Sequence, residues 1–155
     1  LVELSRLDRG LERAEHAPVE LAKLVRAIAA DHPELNVNGP RSAVIESDSR
    51  RLARIFFGLL ENAQMHGSAP VTLSYATEAI SVTDEGPGFS PQLLECAAEP
   101  FVIGDRSRRR GVGLGLAIVE RQARLIGADL SLANAPSGGA IVTVAFRDSA
   151  PSSGD

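Results

Sequence analysis

The chain has 155 residues, a net charge of −4, and a composition of 44% hydrophobic and 23% charged residues, which fits one globular domain with a real core. The acidic balance argues against a general nucleic-acid-binding protein. A single cysteine, Cys96, excludes an internal disulfide and a cysteine-based zinc site, so we interpret it as a packing residue. No apolar run approaches the roughly 20 residues that span a bilayer. We therefore expect a soluble cytoplasmic chain, or the cytosolic part of a longer membrane protein, that does not itself insert into the membrane.

The first part of the chain predicts helices separated by short strands. In order, the pattern gives a helix over 18–31 that begins at Pro18, strands over 35–39 and 42–47 around a turn, and a long helix from a cap at Asp48 or Ser49 to about His66. The long helix carries an apolar stripe at i, i+3, i+4 and i+7 spacing. The stripe consists of Leu52, Ile55, Phe56, Leu59 and Ala63.

The second part repeats this arrangement. Two strands, 71–76 and 79–85, precede a region over 90–112 that has little periodicity and is long enough for a functional lid. A helix over 113–126 and two final strands around "PSGG" follow, and the tail 148–155 is expected to be disordered. Helices that alternate with strand pairs predict an α+β fold, with the helices on one face of a mixed, mostly antiparallel sheet.

Three local features carry chemistry. Asn62 lies at the edge of the apolar stripe, where its amide oxygen could coordinate a divalent cation, although for this residue alone the pattern favours a structural role with hydrogen bonds to the backbone. Asp84 opens "DEGPGF" at a strand end, where a carboxylate can accept a hydrogen bond from an exocyclic amine and Gly86 and Gly88 allow a tight turn, although a hairpin or turn with Asp-x-Gly chemistry explains this motif alone equally well. "RRGVGLGLAIV", at 109–119, can present backbone N–H groups to an anion at a helix N-terminus.

Together these motifs resemble the catalytic ATP-binding domain of sensor histidine kinases. "LLENA" around Asn62, "DEGPGF", "EPF" at 99–101 and "GVGLGL" from Gly111 occur in the order of the family's N, G1, F and G2 boxes. "LSRLDRG" near the N-terminus is similar to the end of the dimerisation helix. The resemblance implies a dimerisation-helix end and linker at 1–17, a catalytic domain at 18–147, and the two-layer sandwich shared with gyrase, heat-shock protein 90 and MutL.

The resemblance also implies ATP and Mg²⁺ as cofactors and a role for each matching residue. Asp84 would bind the adenine amine, and Asn62 would hold Mg²⁺ and serve catalysis, with His66 as a further catalytic candidate. The implied nucleotide-binding set is Asn62, Asp84, Gly86, Gly88, Phe101, Gly111, Gly113, Leu114, Gly115 and Leu116. Candidate phosphate contacts in the lid are Arg106, Arg108, Arg109 and Arg110.

Three positions depart from the family pattern. Gly58 stands where the family often has Asn, Met65 where it often has Lys or Arg, and Val112 where it usually has Thr. Gly58 and Met65 lie on the Asn62 side of the helix, so the pattern predicts a site without these polar groups. We expect ATP binding to survive these changes, whereas efficient phosphoryl transfer is less assured.

The phosphoacceptor is missing from the pattern. His16, His32 and His66 all lack the sequence context of the family's acceptor histidine, so we predict that the chain does not phosphorylate itself. The implied partners are a His-bearing dimerisation domain, in the same chain or a separate subunit, and a response-regulator receiver domain. Two alternatives stay open: a degenerate nucleotide-responsive binding module, and an anti-sigma-factor serine kinase of the same superfamily.

Overall fold

The computed structural model describes residues 13–97 and 113–147, which form an α+β fold as predicted. In chain order the elements are β1 (Ala17–Glu20), α1 (Leu21–Ala29), β2 (Asn36–Asn38), β3 (Val44–Ser47), α2 (Ser49–His66), β4 (Thr72–Tyr75), β5 (Ala79–Thr83), α3 (Pro91–Ala97), α4 (Gly113–Leu125), β6 (Ala128–Asn134) and β7 (Ala140–Phe146). The predicted tail and the N-terminal part of the predicted linker lie outside the described residues.

The main sheet has five strands in the order β2-β4-β5-β7-β6. The β2–β4 pair is parallel and the other three pairs are antiparallel, so the predicted mixed, mostly antiparallel sheet is confirmed. Alternate side chains of the central strands are buried, because successive residues of a strand point to opposite faces. The buried set is Leu73, Tyr75, Ile80, Val82, Val142 and Val144. These side chains share one core with the apolar stripes of α1, α2 and α4.

Helix α2 follows its predicted course. Asp48 is the N-cap, and its Oδ1 accepts hydrogen bonds from the backbone N–H of Arg50 at 3.0 Å and of Arg51 at 3.2 Å. The predicted stripe from Leu52 to Ala63 is buried in full, and the helix ends at His66. Local capping and helical periodicity therefore suffice to define this element.

The predicted start of the first helix was wrong, because Pro18 belongs to strand β1 and not to a helix. β1 pairs antiparallel with β3 in a separate two-stranded sheet. Glu20 ends the strand and caps α1, since its carboxylate accepts the N–H of Ala22 at 3.2 Å and the N–H of Ala43 at 2.6 Å. The Ala43 hydrogen bond is the main reason that the pKa of Glu20 lies below its ordinary value.

The pairing of the two short strands around "NGPR" also differs from the expectation. Both strands form, but they do not pair with each other: β2 joins β4, and β3 joins β1. The turn between them is held by β4, because the Tyr75 hydroxyl donates to the carbonyl of Pro40 at 2.5 Å and the Tyr75 ring lies against Gly39. A tertiary contact thus decides the path of the chain here.

A buried polar network joins the incoming chain to α2 and α4. Arg51, only 7% exposed, donates to the side-chain oxygen of Gln122 on α4 at 2.9 Å and to the backbone carbonyl of Arg13 at 3.2 Å. Its Nε lies 3.6 Å from Oδ2 of Asp48, and the same carboxylate oxygen accepts the N–H of Glu15 at 2.8 Å. Segment 13–15 is therefore fixed to both helices by one side-chain cluster.

The charge of Asp48 is favoured within this network. Burial raises the pKa of Asp48, but the N–H groups of Glu15, Arg51 and Arg50, together with the Arg51 guanidinium, outweigh burial and leave the pKa below its ordinary value.

None of the helices in the described ranges combines the length and the apolar character that crossing a membrane would require.

Candidate functional site

Asp84, directly after β5, is a buried carboxylate at 3% exposure. Its backbone N–H donates to the carbonyl of Ala140 at 3.0 Å. Its Oδ1 accepts the N–H of Gly86 at 2.8 Å and, more weakly, the N–H of Ala140 at 3.4 Å. Backbone donors thus hold one carboxylate oxygen in place, and Oδ2 is the second acceptor that this side chain offers.

Glycines enclose Asp84 on two sides. A Cβ on Gly67, the C-cap residue directly after α2, would lie 2.7 Å from Oδ1 of Asp84 and closer still to Cγ and Oδ2. A Cβ on Gly139, just before β7, would lie 2.8 Å from the backbone carbonyl carbon of Asp84 and closer to its oxygen. Both approaches are tighter than any side chain permits. Gly67 therefore leaves the space that the Asp84 carboxylate occupies, and Gly139 leaves the space of the Asp84 backbone carbonyl; we call these two glycines the Asp84 cradle.

The glycine-rich N-terminus of α4 packs directly against α2. A Cβ on Gly115 would lie 2.8 Å from the carbonyl oxygen of Gly58 and 3.6 Å from the backbone nitrogen of Asn62. Asn62 is 5% exposed, and its backbone lies at the junction of the two helices. The fold therefore brings together the Asn62 helix, the start of the "GLGL" helix and, through Gly67, the Asp84 cradle.

The structure explains why residue 58 is a glycine, which the sequence did not reveal. A Cβ at this position would lie 2.6 Å from Cγ2 of Val119 and 2.7 Å from the carbonyl oxygen of Gly115. The position is thus filled by α4. A polar side chain therefore cannot be added at position 58 unless α4 moves.

The other predicted site residues differ in where they lie: some are in helices or loops of the described structure, and some are outside the described residues. Gly113 and Leu114 begin α4, whereas Leu116 is fully buried in the core and can offer a ligand only its backbone. Gly88 has a left-handed φ of 78° in the loop that follows Asp84. His66 and Met65 are exposed at the end of α2, and Met65 is 69% exposed. Phe101, Gly111 and the arginines at 106 and 108–110 lie outside the described residues.

No group of three or more His, Cys, Asp and Glu side chains within 13–97 and 113–147 is arranged to hold a metal ion.

The sequence pattern did not reveal three residues around Asp84 and the loop that follows it: Gly67, Gly139 and Asn134. Gly67 could have been suspected as a helix C-terminal glycine, and Gly139 as half of a Gly-Gly pair. Asn134 had no local signal, because its contacts are 45 residues away along the chain.

Replacing Gly139 by Ala is expected to lower the unfolding free energy by about 2 kcal/mol and to weaken nucleotide binding, since the new methyl group would push the Asp84 backbone out of its pairing with β7. Denaturant unfolding and calorimetric titration with ATP would measure both effects. Gly127→Ala is the control, because φ is 76° at Gly127 and nothing lies within 4 Å of the added Cβ. This control should cost about 1 kcal/mol without changing ATP affinity. If the two variants lost the same unfolding free energy and kept the same ATP affinity, the role given to Gly139 beside Asp84 would be wrong.

Comparison with known proteins identifies the family. Residues 47–150 match the model of the histidine kinase-, DNA gyrase B- and HSP90-like ATPases. This match covers more than half of the chain and includes Asn62, Asp84 and the "GVGLGL" segment. The chain belongs to this family of ATPases.

Individual relatives narrow the family to sensor histidine kinases. The chain is 41% identical over 142 residues to the sensor protein CseC of Streptomyces coelicolor, covering 90% of this chain and 28% of CseC. It is 31% identical over 136 residues to the sensor histidine kinase component HK1 of Mycobacterium tuberculosis, covering 84% of this chain and 81% of that protein. The ATP-binding domain of PrrB from M. tuberculosis superposes with a TM-score of 0.64 at 28% identity, over 84% of this chain and 96% of that one. The resemblance to sensor histidine kinases is confirmed, and the chain spans about 28% of the length of CseC.

Proposed function

We propose that this domain binds ATP and transfers its γ-phosphoryl group to a histidine on a separate dimerisation domain, from which the phosphoryl group passes to an aspartate of a response regulator. The observation that carries this proposal is the buried Asp84 carboxylate. Backbone donors fix its Oδ1, and Gly67 and Gly139 approach Asp84 more closely than any residue with a side chain could. A fixed carboxylate accepts the adenine exocyclic amine and rejects guanine, whose corresponding group is itself an acceptor.

The residues around Asp84 suit the rest of the nucleotide. The N-terminus of α4, with Gly113 and Gly115, offers backbone N–H groups and a favourable dipole to the phosphates. Asn62 offers a neutral oxygen ligand for Mg²⁺, which keeps waters and phosphate oxygens in its remaining positions. Bound Mg²⁺ would neutralise phosphate charge during transfer. Roles for Phe101, Gly111 and the four arginines of the predicted lid remain part of the proposal on sequence grounds.

The acceptor histidine is proposed to lie on another domain or subunit. Nδ1 of His32 lies 3.7 Å from Oε1 of Glu34. His66 is exposed in the last turn of α2, and on sequence grounds it stays a catalytic candidate and not the acceptor. We also propose a cytoplasmic location, with residues 1–17 as the end of the dimerisation helix and its linker, and residues 18–147 as the catalytic domain.

The test is calorimetric titration of the chain with ATP and with GTP, each with and without Mg²⁺, followed by incubation with radiolabelled ATP and a separately produced dimerisation domain. We expect micromolar ATP binding, no measurable GTP binding, and acid-labile label on the dimerisation domain only. Acid-labile phosphate on the chain itself would overturn the separate-acceptor proposal.

The same experiment distinguishes the kinase from a degenerate nucleotide-responsive module. Gly58, packed against α4, and the exposed Met65 both lack the polar side chain of the family pattern. Binding of ATP without transfer to any dimerisation domain would favour the binding module. Failure to bind any nucleotide would reject both functions.

A further inference from the structure

The turn between β6 and β7 lies directly on the loop that follows Asp84. Gly88 approaches this turn so closely that a Cβ on it would lie 2.5 Å from the carbonyl oxygen of Gly138 and 2.8 Å from Oδ1 of Asn134. The turn is itself braced, since the N–H of Ala135 donates to Gly139 at 2.7 Å and the N–H of Gly138 donates to Ala135 at 2.8 Å. The loop therefore rests on a preformed surface.

Asn134, the last residue of β6, holds this loop at two points. Its Oδ1 accepts the backbone N–H of Phe89 at 2.7 Å, and its Nδ2 donates to the backbone carbonyl of Phe89 at 3.0 Å. The side-chain amide thus satisfies both backbone groups of one residue, as a neighbouring strand would do. A carboxylate cannot make the same pair of bonds because it only accepts, and a hydroxyl carries its donor and its acceptor on one oxygen and not on two neighbouring atoms.

The segment between Asp84 and Phe89 is consequently fixed at both ends by the same hairpin. At its start, the backbone of Asp84 pairs with Ala140 of β7. At its end, Phe89 is held by Asn134 of β6. Beyond Phe89, the hydroxyl of Ser90 accepts the N–H of Leu93 in the first turn of α3 at 3.2 Å, so the direction in which the chain enters α3 depends on the same anchor.

We propose that Asn134 is a positioning residue of the nucleotide site. It acts through Phe89 to fix the loop that carries Asp84 and the first turn of α3. The inference rests on the proposed role of Asp84 in binding adenine. Loss of the two hydrogen bonds should weaken ATP binding roughly three- to tenfold, the effect expected of two neutral, partly solvated hydrogen bonds that order a binding loop.

The test is the dissociation constant for ATP of the full chain and of three variants, measured by calorimetry where unfolding scans show every protein to be fully folded. Asn134→Ala removes both bonds and should raise the constant roughly three- to tenfold. Asn134→Asp keeps only the acceptor at neutral pH. Ser131→Ala, on the exposed face of the same strand, is the matched control and should bind ATP like the unmodified chain.

The pH dependence of Asn134→Asp separates positioning from a general structural role. When the carboxyl group introduced by this substitution is protonated, it regains a donor for the Phe89 carbonyl. The ratio of the variant's dissociation constant to that of the unmodified chain should therefore stay constant between about pH 7.5 and about pH 5.5 and shrink as the pH falls to about 4, close to the ordinary pKa of an aspartate carboxyl. A ratio that is still unchanged at about pH 4, or ATP binding by Asn134→Ala equal to that of the unmodified chain, would overturn the proposal.

Asp84→Asn serves as the reference that separates this inference from the proposed function. If Asp84→Asn loses ATP binding while Asn134→Ala binds normally, Asp84 keeps its role and only the positioning role of Asn134 is rejected. If Asp84→Asn binds ATP normally, the adenine assignment fails, and the inference fails with it.

Discussion

Replacing Asp84 by Asn is expected to weaken ATP binding at least about 100-fold without unfolding the domain. The N–H of Gly86 donates to Oδ1 of Asp84 at 2.8 Å, so the amide oxygen of Asn would have to take the place of Oδ1. The amide nitrogen would then face the ligand. The NH₂ group of Asn and the exocyclic amine of adenine would both be donors, where the carboxylate had offered an acceptor. The loss is large because the group is buried and no water can repair the mismatch.

Calorimetry with ATP and GTP would measure this effect, and the unfolding midpoint would confirm that the variant is folded. Glu85→Gln is the matched control. Glu85 is the exposed neighbour of Asp84, and this substitution makes the same change from carboxylate to amide. We also expect the preference for ATP over GTP to narrow in Asp84→Asn, since an amide donor suits the guanine oxygen. Undiminished ATP binding would place the base elsewhere.

Replacing Arg51 by Ala is expected to lower the unfolding free energy by about 3 kcal/mol, which is a large part of the roughly 5–15 kcal/mol that stabilises a typical domain. The substitution leaves the side-chain oxygen of Gln122 and the carbonyl of Arg13 without their donor. It also removes the cation beside the buried carboxylate of Asp48. The three backbone N–H groups on Asp48 remain, which keeps the loss toward the lower end of the range for buried ion pairs.

Urea unfolding would measure the Arg51 effect, with Arg50→Ala as the control, because Arg50 is exposed and its backbone N–H, which the substitution keeps, makes the contact with Asp48. The control should change stability by less than about 0.5 kcal/mol. Arg51→Lys should recover only part of the loss, since an ammonium cannot reproduce the spread of the guanidinium donors. Additive effects of Arg51→Ala and Gln122→Ala would show that the two side chains are not coupled.

These two experiments examine two different parts of the same domain. Asp84 belongs to the proposed nucleotide site. The Arg51 cluster lies where segment 13–15 meets α2, and it extends to α4, the helix whose first residues include Gly113 and Gly115. An Arg51 variant that lowers the unfolding free energy and leaves ATP affinity unchanged would show that the cluster stabilises the domain without affecting the nucleotide site.

Elements with strong local signals could be predicted from the amino-acid sequence. The α2 stripe, its Asp48 cap and its end at His66 follow from periodicity and capping chemistry. The strand pairs β4–β5 and β6–β7 follow from alternating apolar residues around short turns. The four ordered motifs were enough to indicate the sensor-kinase family, because each motif needs its own residue types at fixed spacing.

Strand pairing and the importance of several small residues depend instead on the assembled fold. β1 resembled the start of a helix because its four residues are too few to show a period of two, and pairing with β3 overrides that local signal. Gly58 looked like a missing polar group until α4 was found packed on it. Asn134 and the Arg51–Gln122 pair make contacts that span 45 and 71 positions. Such contacts depend on side-chain directions in three dimensions, and a single sequence carries no local record of them.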